Sequence, residues 1–510
     1  MKRTTQPSSW ISGANRRAAG SALVLLTALA FAFLPTKSVH AQGFSYSAVH
    51  SFGSTSGDGV NPAANFAMDA QGNLYSTTAY GGAFGYGTVY EIAVTGQEKV
   101  LYNFTGIGGD GATPQGTVLV DTSGNLYGST EYGGDYTCSN SMGCGTVFKL
   151  DTAGTETVLY TFAGTGDGAN PVGGIVMDAQ HNLYGGAIAG GKGGSGVVYK
   201  VDPSGVETVV SLLGFEILDA FPFPGVFMES GGNLYLTNGL ALFELTAGGN
   251  LIGLFSAQTL NPGIATDGQG NFYAAAKIGG FSRKHRPIGS GFVFKVDSHG
   301  NVTTLYEFCP ATVGSFCPDG AWPEGGVVID SAGNLYGTTS QGGKGGNGLV
   351  FMIDPAGNET VLHNFAQGRH GLGYRPLAPL AINGQGSLYG TTYYGGDSGG
   401  PDGAGIAFDM LASGTGSTTS LTSSPNPSTS GEAVTFTAVI SGAVMPADGD
   451  TVSFMKGKTL LGTGTVSGGS ASFTISTLKG ATTVTADFGG DLMLSGSSGT
   501  VKQVVKKVKQ

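Results

Sequence analysis

The chain is poor in charge: Asp, Glu, Lys and Arg make up 11% of its 510 residues. It has only two Trp and four Cys, and no amphipathic helical run or heptad repeat is legible. The missing 3.6-residue periodicity excludes a helical bundle or coiled coil. The hydrophobic share of 40% excludes a disordered chain. A net charge of −10 disfavours nucleic acid and anionic membranes as partners. The cysteines lack CxxC spacing and an accompanying His cluster, so a structural zinc site is not indicated. No Ser–His–Asp or HExxH pattern is legible either.

What is abundant is glycine, 92 residues, set between short runs of Val, Ile, Leu, Phe, Tyr and Thr. Residues 325–365 show the unit: Gly326–Asp330, Asn334–Thr339, Gly348–Asp354 and Glu359–Phe365 are strand-length runs bounded by turn residues. Its GNLY-like element recurs at Asn73, Asn125, Asn182, Asn233, Asn271 and Asn334, with Ser387 in the seventh copy. The period is roughly 52 residues, the scale of a solenoid, propeller or array. Copy four, around Phe227–Leu245, is eroded.

Strand counting separates a ring from an open stack. An ETVLYNF-type run follows copies one to six but is missing after copy seven, where Gly405–Leu411 leads into a linker. The same run stands before copy one, as Tyr46–Phe52. The first strand of the mature chain thus supplies what the last repeat lacks, which removes an unpaired edge. The expectation is all-β: a seven-bladed β-propeller over 43–411, four strands per blade. A Gly/Ser/Thr linker at 412–417 leads to about seven alternating strands in 418–510, read as an Ig-like β-sandwich without Cys or Trp.

Residues 1–41 read as an export signal. Lys2, Arg3, Arg16 and Arg17 precede the apolar run Ala18–Leu34, and Val39-His40-Ala41 supplies the small-residue cleavage pattern. Its removal takes away positive charge only and leaves no membrane span. An extracellular or cell-surface address permits disulfides, for which local pairing of Cys138 with Cys144 and of Cys309 with Cys317 is the simplest of three connectivities.

Residues 46–411 resemble the tandem GloVer-repeat proteins, exported bacterial proteins with GNLYGTT…GG…GTVFKLD…ETVLYNF units. That resemblance implies export and varied C-terminal anchors, and brings no established activity. Residues 418–506 resemble the bacterial Ig-like repeat domain through LTSSPNPSTSGEAVTFTAVIS, GDTVSF, LLGTGTV and ADFGGD, with Phe488 where that family usually has Tyr. Such a domain implies a spacer or adhesion module.

The candidate functional residues sort by loop. Asp69, Asp121, Asp267 and Asp330 open Asp-x-x-Gly turns between strands one and two, and turn chemistry explains them better than calcium or catalysis. Loops 4→1 and 2→3 share the other side and carry every large insertion: Cys138–Cys144, Arg283–Pro287 and Cys309–Cys317. Asp58, Asp110, Asp167 and Asp319 recur there in DGxxP loops, as tight turns or as a carboxylate ring for calcium. Tyr80, Tyr132 and Tyr394 precede the GG of the 2→3 loop, and Trp322 sits beside Asp319. They read as blade packing or as a platform for sugar stacking. Arg283-Lys284-His285-Arg286 is a basic run suited to a solvated loop. Gly186–Lys192 spells GxxxxGK but lacks the Ser/Thr and helix that phosphate binding requires.

The expected ligand site is therefore Tyr80, Tyr132, Trp322, Tyr394, Asp110, Asp167, Asp319 and Arg375, taking an extracellular glycan or a protein, with no resident cofactor unless calcium fills the carboxylate ring. The expected function is non-enzymatic binding or adhesion. The alternative is a carbohydrate-active lyase or hydrolase using Tyr, His370, Arg375 and carboxylates on the same side.

Overall fold

The computed structural model describes residues 44–510, apart from 139–141, 213–224, 229–232, 238–240, 247–250, 257–262, 279–289, 310–316, 367–372, 398–401, 413–415, 443–444, 447, 491–493 and 508–510. The export-signal segment, the basic run at 283–286 and His370 lie outside the described residues. The described residues are all-β, with no helix.

Seven four-stranded antiparallel sheets follow one another along 44–412 among the described residues. The first is Ala67–Met68, Leu74–Thr78, Thr88–Ile92 and Glu98–Asn103, in sequence order. Sheets two to six repeat this meander, including the fourth, whose sequence is eroded. The seventh joins Ala381–Ile382, Leu388–Thr392 and Ile406–Ala412 to Phe44–Ser51, the first strand of the described chain. Phe44 pairs with Ala412 and Ser51 with Ile406, 355 residues apart in sequence at the near end.

The motif residues have specific structural reasons. In the first turn, Asp69 Oδ1 accepts the N–H groups of Gln71 and Asn73, each at 2.9 Å. Its Oδ2 accepts from the Asn73 amide and the Tyr75 hydroxyl. The same four bonds recur at Asp121, Asp178, Asp267 and Asp330. Asn and Tyr of GNLY thus lock the turn that precedes them, and the carboxylate's acceptor capacity is used within the turn. The Gly after GNLY has a packing reason. A Cβ on Gly337 would stand 2.5 Å from Phe351 Cζ, and one on Gly128 as close to Phe148 Cζ.

Those third-strand rings join neighbouring sheets. At five boundaries among the described residues, the Phe that ends a fourth strand packs edge-on against the third-strand ring of the next sheet. The centroid separations are 5.0 Å for Phe52–Tyr90, 5.2 Å for Phe104–Phe148, 5.0 Å for Phe162–Tyr199, 5.1 Å for Phe308–Phe351 and 5.3 Å for Phe365–Phe408. Apolar clusters lie between each consecutive pair of sheets, one to two through six to seven. A further cluster, with Phe52, Phe66, Tyr90 and Tyr389, lies between the seventh and the first.

The loops contain more structure than expected. Gly59–Val60 pairs with Tyr80–Gly81, Gly111–Ala112 with Tyr132–Gly133, and Gly373–Tyr374 with Tyr394–Gly395. The 4→1 and 2→3 connections thus satisfy each other's backbone groups instead of leaving them to solvent. Beyond residue 416, Thr418–Ser424, Val434–Ser441 and Ser470–Ile475 form one sheet. A five-stranded sheet, including Thr451–Lys456, Ala481–Gly490 and Ser495–Lys506, faces it across a core of Phe436, Val452, Phe454, Val484 and Phe488. Ser428–Thr429 is an extra short strand, paired parallel to the last one.

Phe104→Ala should cost about 3–5 kcal/mol, because it empties a fully buried site between two sheets. Denaturant unfolding of the full chain measures it. Removing Phe44–Ser51 should lower the unfolding temperature further, since it strips the outer strand of sheet seven and exposes the cluster against sheet one.

Candidate functional site

The side of the sheets that carries the 4→1 and 2→3 connections is held by one recurring backbone device. The residue before Pro in the four DGxxP loops, and in the corresponding Leu-Gly-Tyr-Arg-Pro loop of the seventh copy, has a left-handed φ: 58° at Asn61, 54° at Thr113, 55° at Asn170, 60° at Trp322 and 55° at Arg375. Five non-glycine residues adopt this conformation at the same repeat position. Each one's N–H donates to a 2→3 connection of the preceding sheet: Asn61 to Ala404, Thr113 to Tyr86, Asn170 to Cys144, Trp322 to Ser290 and Arg375 to Asn347. The strain is offset by that bond, and the loop is anchored across a sheet boundary.

The Asp residues of these loops point back into the sheets. Asp110 Oδ2 accepts from Tyr102 Oη at 3.3 Å and from the Thr105 N–H and hydroxyl, both at 2.7 Å. Asp167 accepts from Tyr160 at 2.8 Å, and Asp319 from Tyr306 at 2.9 Å. Each is tied to its own fourth-strand tyrosine, and the three are not brought together. The tyrosine hydroxyls are pushed above their usual range, by burial first and then by the neighbouring carboxylates. Beside three of these Asp residues stands a Glu from the next sheet. Burial raises Glu156, Glu207 and Glu359 to about 7, with Asp110, Asp167 and Asp319 respectively adding to the rise.

The aromatic residues behave differently. Tyr80 is exposed and lies within electrostatic reach of both Tyr132 of the next sheet and Tyr393 of the preceding one. Tyr394 stacks on Tyr374 at 5.4 Å, and Tyr393 meets Tyr394 edge-on at 4.9 Å. The exposed Arg375 places its guanidinium 5.6 Å from the Tyr394 centroid. Glu131 accepts from the Gln115 amide and neighbours Tyr132. Tyr80, Tyr132, Tyr394 and Arg375 thus fall in one arc over sheets seven, one and two. Trp322 belongs to a second group over sheets five and six: Lys277 Nζ sits 5.3 Å from its ring and 3.0 Å from Glu324 Oε1, which also accepts from Ser340 at 2.8 Å.

Sequence reasoning missed the outer edge of the first arc. Phe84, Tyr86, Ile107 and Tyr136 are exposed. Tyr86 and Tyr136 flank Gly106: the Tyr86 ring lies where a Gly106 Cβ would stand, and the Tyr136 hydroxyl donates to the Gly106 carbonyl. The available signal was departure from the repeat, because GAFGYG and DYTCSNSMGC replace plain Gly-rich loops. Exposed apolar side chains are thus concentrated at this edge. The adjoining loop is pinned by the Cys138–Cys144 disulfide, and a second disulfide joins Cys309 to Cys317. Both half-cystines of the first pair are buried in the cluster between sheets two and three.

Tyr132 and Tyr393 are held as neutral hydroxyls. Tyr132 is raised by burial, then by its bond to Glu131 and that residue's charge. Tyr393 is raised by burial, then by Tyr80 and Tyr394, against the opposing effect of Arg375. A tyrosine general base needs a lowered pKa, so these rings are equipped to stack and hydrogen-bond.

Fold and surface define an all-β repeat protein with a ring-lined loop surface. Residues 241–466 match the family model described as the Gloeobacter/Verrucomicrobia repeat. No curated protein matches the sequence. Among solved structures, an auxiliary nutrient binding protein from Bacteroides ovatus is 10% identical, with a TM-score of 0.37 over 73% of this chain and 77% of that one. Another from Bacteroides thetaiotaomicron is 11% identical, with a TM-score of 0.37 over 70% of each chain. A gluconolactonase from Xanthomonas campestris is 15% identical, with a TM-score of 0.29 over 52% of this chain and 78% of that one. With all three TM-scores under 0.5, the functional reading rests on this chain's own residues.

The buried Glu residues set a pH dependence. Their folded pKa of about 7 exceeds the ordinary 4.5, so their stabilising contribution is complete below about pH 4.5 and is lost as pH rises through 7. The turn carboxylates act oppositely. Burial alone would raise Asp121, Asp178 and Asp267, but their hydrogen bonds outweigh it and lower them, so their contribution is lost in acid. The unfolding temperature should peak near about pH 5 and fall toward pH 8. Replacing Glu156, Glu207 and Glu359 together by Gln should flatten the alkaline fall, which a pH series of thermal melts reads directly.

Proposed function

We propose that the protein is an exported, non-enzymatic binding protein that takes an extracellular glycan on the loop side of sheets seven, one and two. The supporting observation is the placing of exposed Tyr80 within reach of Tyr132 and Tyr393, all on one side of three consecutive sheets. Rings beside Glu131, Gln115 and Arg375 offer stacking faces with polar groups at their edge, the composition of a sugar-binding surface. Export is supported by the N-terminal signal pattern and the two disulfides.

In this reading the seven sheets are the blades of one closed propeller over 43–411. Supporting it are the outer strand Phe44–Ser51 in sheet seven and the apolar cluster between sheets seven and one. Residues 418–510 are an Ig-like sandwich acting as spacer or adhesion module, joined through 412–417. Two packed sheets without a disulfide support that assignment.

A carbohydrate-active enzyme is the second reading. It is favoured by Glu131, whose carboxyl burial raises toward the range of a general acid, against the lowering bonds from Tyr132 and Gln115.

A glycan array read by mass spectrometry separates the two, because a lectin leaves its ligand intact. Binding without cleavage is expected, with Tyr80→Ala or Tyr132→Ala each costing about 1–2 kcal/mol of affinity. Cleavage that Glu131→Gln abolishes would establish the enzyme. Binding lost in folded Asp121→Ala or Asp330→Ala protein, but kept in both tyrosine variants, would move the site to the opposite side.

A further inference from the structure

The boundary between sheets seven and one differs from its counterparts in one residue. At three other boundaries a fourth-strand tyrosine donates to the DGxxP aspartate, with a glutamate from the next sheet beside them: Tyr102, Asp110 and Glu156; Tyr160, Asp167 and Glu207; Tyr306, Asp319 and Glu359. Between sheets seven and one, His50 takes the tyrosine's place, with Asp58 and Glu98. Each offers a ligand atom, and these atoms all lie within 4.8 Å of one another. Between sheets six and seven the set is dismantled. There His363 stacks on Tyr46, 3.8 Å between centroids, and Tyr46 stands at the glutamate's repeat position.

The hydrogen bonds at this boundary leave two acceptors unused, as they do at Asp167 with Glu207 and at Asp319 with Glu359, so what sets this boundary apart is the imidazole beside them. Asp58 Oδ2 faces His50 Nε2 at 3.2 Å and accepts from the Ser54 N–H at 3.2 Å. Asp58 Oδ1 is buried and has no hydrogen-bond partner, and the same holds for Glu98 Oε1. The Asp58 side chain is 1% exposed, so water does not solvate that oxygen. A buried carboxylate oxygen with no donor is costly. At the tyrosine boundaries the third group is a phenol that burial keeps protonated, which is a poor metal ligand. Here it is an imidazole, which ligates zinc readily when neutral. The spacing of the His50–Asp58 pair also fits. Two ligand atoms about 2.1 Å from one tetrahedral ion stand about 3.4 Å apart, close to the His50–Asp58 separation.

We propose that His50, Asp58 and Glu98 form a binding site for a divalent transition-metal ion of the zinc type, with a fourth position left to solvent or an incoming donor. One imidazole with two carboxylates selects such an ion over calcium, which takes six to eight oxygens. The ligands come from the first described strand, the loop that follows it and the fourth strand of sheet one. The ion therefore ties the outer strand of sheet seven, and the loop that leaves it, to the fourth strand of sheet one. This site is separate from the ring-lined surface, and its test is independent of any glycan.

The test uses the full chain, stripped with chelator and titrated separately with Zn2+, Mg2+ and Ca2+. Calorimetry and thermal melts are the readouts. One equivalent of Zn2+ should bind and raise the unfolding temperature, while Mg2+ and Ca2+ leave it unchanged. His50→Tyr installs the residue the repeat uses elsewhere and should fold. It should weaken Zn2+ binding by more than the roughly 10–100-fold that loss of a supporting group costs. Glu98→Gln is the second variant, nearly equal in shape to the original, and should behave likewise. The proposal is overturned if Zn2+ neither binds nor stabilises the wild type. It is equally overturned if both variants bind Zn2+ as the wild type does, or if Ca2+ is the ion that binds and stabilises.

Discussion

The edge-on packing of a fourth-strand phenylalanine against the next sheet's third-strand ring is the contact on which the rest depends. A four-stranded sheet of this size cannot bury both faces by itself. Each sheet therefore needs a neighbour on either side, and the Phe–aromatic pair supplies the join. At four of the five pairs the second strand carries a glycine opposite the ring, because the ring occupies the space of a Cβ; opposite Tyr90 the residue is Ser76. Ring, glycine and strand pattern are one requirement repeated along the chain.

That requirement accounts for the strand at the chain's start. Sheet seven has three strands of its own, and without Phe44–Ser51 and Phe52 it would have neither an outer strand nor a ring to place against Tyr90. The boundary between sheets seven and one is also where the repeat's Tyr–Asp–Glu set becomes His–Asp–Glu. His50 stands on the strand that sheet seven holds by backbone pairing, without covalent continuity to Ile406–Ala412 beside it.

The loop side works on a different principle. Its shape is held by backbone bonds across sheet boundaries and by left-handed residues at one repeat position. Side chains at the tips are consequently free to vary, and they do: Trp322 packs with Lys277 and Glu324, Arg375 with Tyr394, while Asn61 and Asn170 bond neighbouring carbonyls. A rigid frame with variable tips is what a binding surface requires.

Much of the fold was legible in the residues alone. Period-two apolar runs, Gly-rich turns and the displaced ETVLYNF-type run identified the strands and their repeat, because these are local or periodic properties. The Asp turns were equally readable, since every hydrogen bond in them spans six residues or fewer. Local disulfide pairing followed from short spacing. What only the tertiary structure decided is which repeat positions meet. Asp110, Asp167 and Asp319 occupy the same repeat position, yet each is captured by its own tyrosine instead of converging in a ring. Tyr80 does come within reach of Tyr132 and of Tyr393, and Phe84, Tyr86 and Tyr136, which no periodic pattern marked, are exposed in neighbouring loops. His50 stands at the tyrosine's repeat position, and only the fold brings Glu98, 48 residues on, beside it. Periodicity specifies each sheet, but contacts between sheets depend on twist and packing, which no single repeat contains.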